Sequence, residues 1–479
     1  MFTSSLVIFI LIIYFFSLVV IARITRGNSS NESFFLGENR SPWYIVAYGM
    51  IGVSLSGITF LSVPGWVAKQ EFFYMQMVLG YIPGYLFISY VLLPIYYKLK
   101  VYSIYKYLEQ RLGYYSHKCG ALYFLLSRIL GASLRLFLVA EVLQVLLFNE
   151  IGVPFPITVL ITILLIWLYT HQGGIKTIIW TDTLQTTFML LTVSFCVFFI
   201  FKNLGYNSVE ESFTENNLSL RLFSFTDFNS SKNFFRSFFS GMFIAIAMTG
   251  LDQDMMQKNL SCKNIKDAQK NMISFSFVLL FVNLLFLYLG ALLYQFAFVN
   301  NITAFGDSLF VEVIKSGYLG NFVFILFLLG LLSAAYSSAD SALTSLTTSF
   351  CVDFLGMCKN QSSSLQLQTR KKVHILISLV LFIIILGIKY LNNDSIISTL
   401  FLLASYTYGP LLGLFVFSLF TKRTVVDRYV PLAVFISPVL SYYISIYDVH
   451  LLKGFDFGPD LIIVNGAITF FLLLIISKK

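Results

Sequence analysis

Thirteen apolar runs, separated by short polar breaks, constrain this chain more than any other feature. They fall at roughly 4–22, 43–68, 72–97, 119–148, 153–170, 177–201, 233–257, 271–299, 319–355, 373–390, 395–420, 429–446 and 460–477. About 20 consecutive apolar residues suffice for a helix to cross a bilayer. Such a helix satisfies its own backbone polar groups, as any lipid-exposed segment must. Only 11% of the residues are charged, against roughly 25% in soluble domains. A water-soluble enzyme is therefore excluded, and the expected fold is an all-α polytopic membrane protein with about 13 transmembrane helices. The first run opens MFTSSLVIFI, without a basic n-region or a small-residue cleavage site. It is expected to remain as a helix and not to be removed as a signal peptide.

Arg23 and Arg26 follow the first run directly, which predicts an outside N-terminus and, if the spans alternate, a cytosolic C-terminus. Loops then assigned to the cytosol hold 22 of the 32 Lys and Arg residues, Lys258, Lys263, Lys266 and Lys270 among them. Outside loops and their adjoining span ends hold seven. That asymmetry supports the alternation and accounts for the net charge of +9 without a nucleic-acid partner. The five cysteines (Cys119, Cys196, Cys262, Cys351 and Cys358) show neither metal spacing nor a disulfide framework. No phosphate-binding Gly-rich loop is present, so ATP-driven transport has no engine here.

Polar residues at bilayer depth carry the functional information, because each must be satisfied in the bundle or line a cavity. The second span reads YGMIGVSLSGITFLSVPG over 48–65, with Ser54, Ser56 and Thr59 among several Gly and a Pro. A local unwinding near 52–57 would release carbonyl oxygens for an ion such as Na⁺; small residues for close helix packing are the competing explanation. The ninth span, SAAYSSADSALTSLTTSFCVD over 333–353, has Ser or Thr at nine of 21 positions. Ser337, Ser341 and Ser345 share one helix face, with Ser338 beside them and Asp340 among them. Such a face offers the oxygen ligands a hard cation prefers, or else bonds its own backbone carbonyls.

Asp182 lies several residues inside the sixth span and needs a partner, whether Na⁺, an arginine or a hydroxyl cluster. The fourth span holds Arg128, Arg135 and Glu141, with Arg135 near mid-membrane. It is either an anchor for an anionic solute or half of an ion pair with Glu141 or Asp182.

The segments SLSGITFLSVPG, KVYSIYKYLEQRLG, GGIKTIIWTDTLQ, GLDQDMMQKNLSCKNIKDAQKN and SAAYSSADSALTSLTTSFCVDF, in that order, resemble the sodium:solute symporters. That family includes sodium/proline, sodium/glucose and sodium/sialic-acid transporters. The resemblance implies a leucine-transporter-like inverted repeat of five plus five helices. It divides the chain into an N-terminal extra helix and loop (1–42), a first repeat (43–201), an outside loop (202–232), a second repeat (233–420) and two C-terminal extra helices (421–479). It implies a Na⁺ site built from the Gly52, Leu55 and Ala334 carbonyls and the Ser337 and Ser338 hydroxyls. A second Na⁺ site would use Asp182, Asp340 and Ser341. The sugar contacts of glucose-type members fall on Ile58, Ala245 and Met248, which cannot hydrogen-bond a sugar through their side chains. The resemblance to sialic-acid transporters places solute contacts at Ser54, Ser56 and Thr59, at Gln76 or Val78, and at Gly131 or Arg135.

The expected function is Na⁺-coupled symport of a small organic solute, anionic and sialic-acid- or carboxylate-like, by alternating access. Na⁺ is the coupling ion, and the partners are the solute, Na⁺ and the lipid bilayer, with no obligatory protein partner. The expected location is a bacterial cytoplasmic membrane. H⁺-coupled or facilitative transport through the same fold, or solute sensing, are the alternatives. An enzyme is not expected, because no His/Asp or Glu/His cluster suggests catalysis.

Overall fold

The computed structural model describes residues 4–25, 31–99, 102–214, 218–357, 364–390, 396–451, 455 and 457–478. Each predicted apolar run is a helix. They are α1 (Ser4–Thr25), α2 in two halves (Trp43–Ser54 and Gly57–Gln70), α3 (Tyr74–Leu99), α4 (Tyr114–Phe148), α5 (Phe155–Thr170), α6 (Gly174–Asn203), α7 in two halves (Phe234–Gly250 and Gln253–Leu260), α8 (Ile265–Val299), α9 (Gly320–Phe354), α10 (Ser364–Ile388), α11 (Ile397–Phe420), α12 (Asp427–Tyr447) and α13 (Leu461–Ile475). Eight of these are long and apolar enough to cross a membrane, or ten if each bent pair is one span; α5, α13 and the Phe9–Thr25 part of α1 are shorter apolar helices. Large side chains such as Phe16, Phe281, Ile383 and Phe471 point outward and are more than half exposed. Apolar surface of that extent is stable against lipid and not against water. The protein is an integral, multi-pass membrane protein.

Two spans are interrupted. The halves of α2 meet at 58° across Leu55 and Ser56, within the stretch where the Gly-rich sequence predicts unwinding. The halves of α7 meet at 65° across Leu251 and Asp252. This second break corrects the expectation of a plain span over 233–257. Its cause is local. Ile246–Gly250 forms a π-helical turn, and the Asp252 carboxylate caps the next half-helix by accepting from the Asp254 and Met255 N–H groups at 2.9 and 3.3 Å. The turn sends Gln253–Leu260 into the bundle, and all eight residues are buried. Lys258, assigned above to a cytosolic loop, is therefore an interior residue, 1% exposed.

The α5–α6 connection is a sharp kink, not a loop. Gly174 has φ +57°, and a Cβ there would lie 2.5 Å from the Phe34 backbone, so both conformation and space require glycine. Helix α9 is the centre of the molecule, buried without interruption from Phe327 to Ser349 and packed chiefly on α5 and α6. Among the described residues the only strands are Thr424–Val425 and Ser477–Lys478, paired antiparallel. Cys119, Cys196, Cys262 and Cys351 are free and buried; Cys358 and Arg26 lie outside the described residues.

Candidate functional site

The break in α2 is where the polar groups converge. The last backbone bond of its first half runs from the Leu55 N–H to the Ile51 carbonyl. The ladder resumes with the Phe60 N–H to the Ser56 carbonyl. The Gly52, Val53, Ser54 and Leu55 carbonyls fall in that gap, as expected at a helix end. Gly52 packs against α6 and α9 together. Its N–H donates to Thr186 Oγ1 at 3.1 Å, and a Cβ at this position would lie 2.3 Å from that oxygen and 3.2 Å from Ser337 Oγ. Glycine is needed here for close approach. Thr186 has no distinguishing mark in the sequence and was missed there.

On α9, both explanations of the hydroxyl-rich face hold at different positions. Ser345, Thr347 and Thr348 donate to carbonyls of their own helix. Ser338 does so too, to Ala335 at 3.0 Å and more weakly to Ala334 at 3.4 Å. Ser337 instead donates to Asp182 Oδ1 at 2.7 Å. A hydroxyl that donates keeps two lone pairs, so Ser337 and Ser338 both retain the oxygens a cation would use.

Asp182 is fully buried, and its partner is a lysine, which was not among the partners expected for it. Lys258 Nζ lies 2.6 Å from Asp182 Oδ2 and 2.6 Å from Ser341 Oγ. The position expected for a second Na⁺ thus holds an ammonium group from α7. Asp340, also fully buried, accepts from the Tyr169 hydroxyl at 3.0 Å, and its Oδ1 has no hydrogen-bond partner among the described residues.

Beside the α2 break lies a cavity of about 790 Å³, counted with its open mouth. Ser54, Ser56 and Thr59 from α2 and its break line it, together with Arg135 from α4. Arg135 is 7% exposed and makes no hydrogen bond or salt bridge with any described residue; its Nε is buried without a partner. The ion pairs that would have made it structural are taken elsewhere. Glu141 lies 3.2 Å from Lys389, and Asp182 is held by Lys258. Arg128 also lines the cavity but is engaged by Asp254, with Asp252 at 3.7 Å, and the Tyr408 hydroxyl donates to Asp252. Ile58, Ala245 and Met248 add apolar wall.

Gln76 is not brought to this cavity. Its amide donates to the Lys232 carbonyl at 3.0 Å and accepts from the Ser224 N–H at 3.1 Å, which pins the 218–233 segment. Val78, the other candidate, and Gly131 do not line the cavity either, although Gly131 lines a smaller one beside Arg135. Tyr74, Tyr81, Tyr85 and Asn283 do line it and were not anticipated; aromatic residues are too common in this chain to stand out. Tyr74 is shared with a neighbouring cavity that Trp66 also lines, and the Trp66 ring is stacked at 6.4 Å on Phe401, which lines the first.

A broken helix offering free carbonyls, a hydroxyl-bearing helix beside it and an adjoining cavity lined by both polar and apolar side chains are together the features of a secondary transporter. The sodium:solute symporter family model matches residues 34–427, and the chain belongs to that family. It is 25% identical over 413 residues to the sodium/sialic acid symporter NanT of Aliivibrio fischeri, covering 83% of this chain and 79% of that one. It is 24% identical over 425 residues to SiaT of Proteus mirabilis, covering 83% and 81%. The human sodium/iodide cotransporter matches at 24% over 245 residues, 51% of this chain and 37% of that one. A solved structure of a Na⁺-coupled sialic acid symporter, substrate-bound and outward-open, superimposes with a TM-score of 0.81 at 19% identity over 100% of this chain and 99% of that one. The chain is thus a secondary active transporter, not an enzyme, and carries out Na⁺-coupled symport of a small organic solute.

Proposed function

We propose that the solute is a small organic anion, of the carboxylate or sialic-acid type, and that Arg135 binds its charge. The observation that carries this is a nearly buried guanidinium on the cavity wall with no hydrogen-bond or salt-bridge partner. A buried charge without a counter-charge is costly, and a planar guanidinium matches a carboxylate in bidentate fashion. Ser54, Ser56 and Thr59, which line the same cavity, supply hydroxyl contacts. The sialic-acid symporters among the relatives support this assignment.

Na⁺ is held by the Gly52, Leu55 and Ala334 carbonyls with the Ser337 and Ser338 hydroxyls. Ion and solute then share one broken helix. Na⁺ fixes the geometry of the 52–56 turn, and the same turn presents Ser54 and Ser56 to the solute. Each ligand therefore favours the conformation that binds the other. All thirteen helices span the membrane, with the N-terminus outside and the C-terminus in the cytosol of a bacterium. Helices over 43–201 and 233–420 form the two inverted repeats, each beginning with its broken helix (α2 or α7), which is the feature that supports the pairing.

The test is uptake into proteoliposomes under an imposed Na⁺ gradient, with sialic acid, short carboxylates, proline, glucose and pantothenate offered in turn. Choline replaces Na⁺ as control. Accumulation of an acid that requires Na⁺ is expected. Na⁺-dependent accumulation of glucose or proline, with the acids inert, would overturn the anionic assignment.

A further inference from the structure

We propose that the Lys258 ammonium is a built-in cation standing where a second Na⁺ would otherwise bind, so that each solute is carried with one Na⁺. Three observations meet here. Lys258 Nζ lies 2.6 Å from Asp182 Oδ2 and 2.6 Å from Ser341 Oγ, two of the three residues expected to hold a second ion. The side chain is 1% exposed and reaches this point from the second half of α7, whose residues are all buried. The remaining Asp182 oxygen accepts from Ser337, so both oxygens of the carboxylate have partners.

An ammonium is a compact unit charge with three donors. Set among a carboxylate and a hydroxyl, it supplies the compensation that a monovalent metal ion would supply. It differs in being tethered. A bound Na⁺ leaves on the inward side and adds its electrochemical gradient to the cycle, whereas a lysine stays and adds nothing. The five groups of the other site have no such substitute, since no Lys or Arg nitrogen among the described residues hydrogen-bonds Gly52, Leu55, Ala334, Ser337 or Ser338. One Na⁺ position remains. It is joined to the lysine through the Ser337–Asp182–Lys258 chain, so the tethered charge also orients a hydroxyl of the Na⁺ that moves.

This inference rests on the Na⁺-symport reading, and counting bound ions separates the two. Purified full-length protein in detergent is titrated with ²²Na⁺ in a scintillation-proximity assay, with choline balancing ionic strength. One Na⁺ per chain with a Hill slope of one is expected. No specific binding would refute the Na⁺ site itself. Two Na⁺ per chain, for example with a second ion on the free Asp340 oxygen, would overturn the inference and leave symport intact.

The variant Lys258→Ala leaves Asp182 and Ser341 facing vacant space and should bind two Na⁺, with the Hill slope rising toward two. Lys258→Arg keeps the charge and should still bind one. A folded Lys258→Ala protein that binds one Na⁺, as the wild type does, would also overturn the inference. Should that variant unfold in choline, its melting temperature is followed against NaCl, KCl and choline chloride. Rescue by Na⁺ alone supports the proposal, and equal or absent rescue by all three salts counts against it. A wild-type count of two overturns the inference whether or not the variant folds.

Discussion

Arg135 and Ser337 illustrate how much depends on a single partner. Arg135 lines the cavity without a hydrogen-bond or salt-bridge partner, so its replacement removes a contact to solute and breaks no direct ion pair. A charge-assisted hydrogen bond contributes about 1.5–3 kcal/mol, equivalent to roughly 10- to 100-fold in affinity. Arg135→Gln should raise the half-saturating solute concentration by about that factor while the protein keeps its melting temperature. An unchanged solute affinity would mark the residue as structural. Ser337 and Ser338 bear on the ion instead. Replacing both by Ala should raise the half-saturating Na⁺ concentration at least about tenfold, one such contact being worth roughly 1.4 kcal/mol. Uptake kinetics at varied Na⁺ give the answer, and an unaltered Na⁺ dependence would remove both hydroxyls from the site.

At the scale of elements, the two breaks and the connections that hold them matter most. The α2 break packs so closely on α6 and α9 that one methyl group does not fit at Gly52. Gly52→Ala should abolish uptake through displacement of Thr186, and Gly52→Ala with Thr186→Gly should recover part of it; no recovery would mean that the clash is not the cause. The turn after α2 is held by charge. The Glu71 carboxylate accepts from Arg221 at 2.8 and 3.0 Å and from Ser219 at 2.8 Å, and the Arg221 bond holds its pKa down to about 2. A carboxylate with a depressed folded pKa stabilises the fold fully above its unfolded value near 4.3, and that contribution is lost as pH falls from there through the folded value. The 218–224 segment should therefore show constant protease sensitivity from pH 8 to 5 and open only well below pH 4. Glu71→Gln should open it at neutral pH.

For the whole molecule, coupling depends on how many charges cross with the solute. A membrane potential of 100 mV is worth about 2.3 kcal/mol per charge, and a tenfold Na⁺ gradient adds about 1.4. One Na⁺ sustains roughly 500-fold accumulation of a neutral solute. A monovalent anion moving with one Na⁺ carries no net charge, so only the chemical gradient acts and accumulation stops near tenfold. Clamping proteoliposomes with valinomycin and K⁺ separates these cases. Steady-state uptake of an anionic solute should be insensitive to the potential if one Na⁺ is carried, and should rise steeply with it if two are. Access to the cavity also involves more than one element, because the Trp66 and Phe401 rings that meet at its edge belong to α2 and α11.

The length and polarity of the apolar runs determined that this chain forms a helical membrane bundle, since bilayer thickness and backbone hydrogen bonding act on each segment separately. The Gly- and Ser-rich composition of 48–65 likewise marked where α2 could unwind, a local weakness of one helix, but left close packing of small residues as an alternative. The hydroxyl density of 333–353 marked α9 without showing which hydroxyls bond their own helix. The α7 break had a local sign as well, a capping Asp252 just after Gly250, but an apolar run on its N-terminal side masked it. The partners were decided only by tertiary structure. Lys258 reaches Asp182 from 76 residues away, after a bend that turns an apparent loop residue into the interior. Glu141 meets Lys389, and Gln76 is drawn off by the 218–233 segment. Neutralising a buried charge is a matter of distance in space, and one-dimensional order carries that distance only where a single helix does.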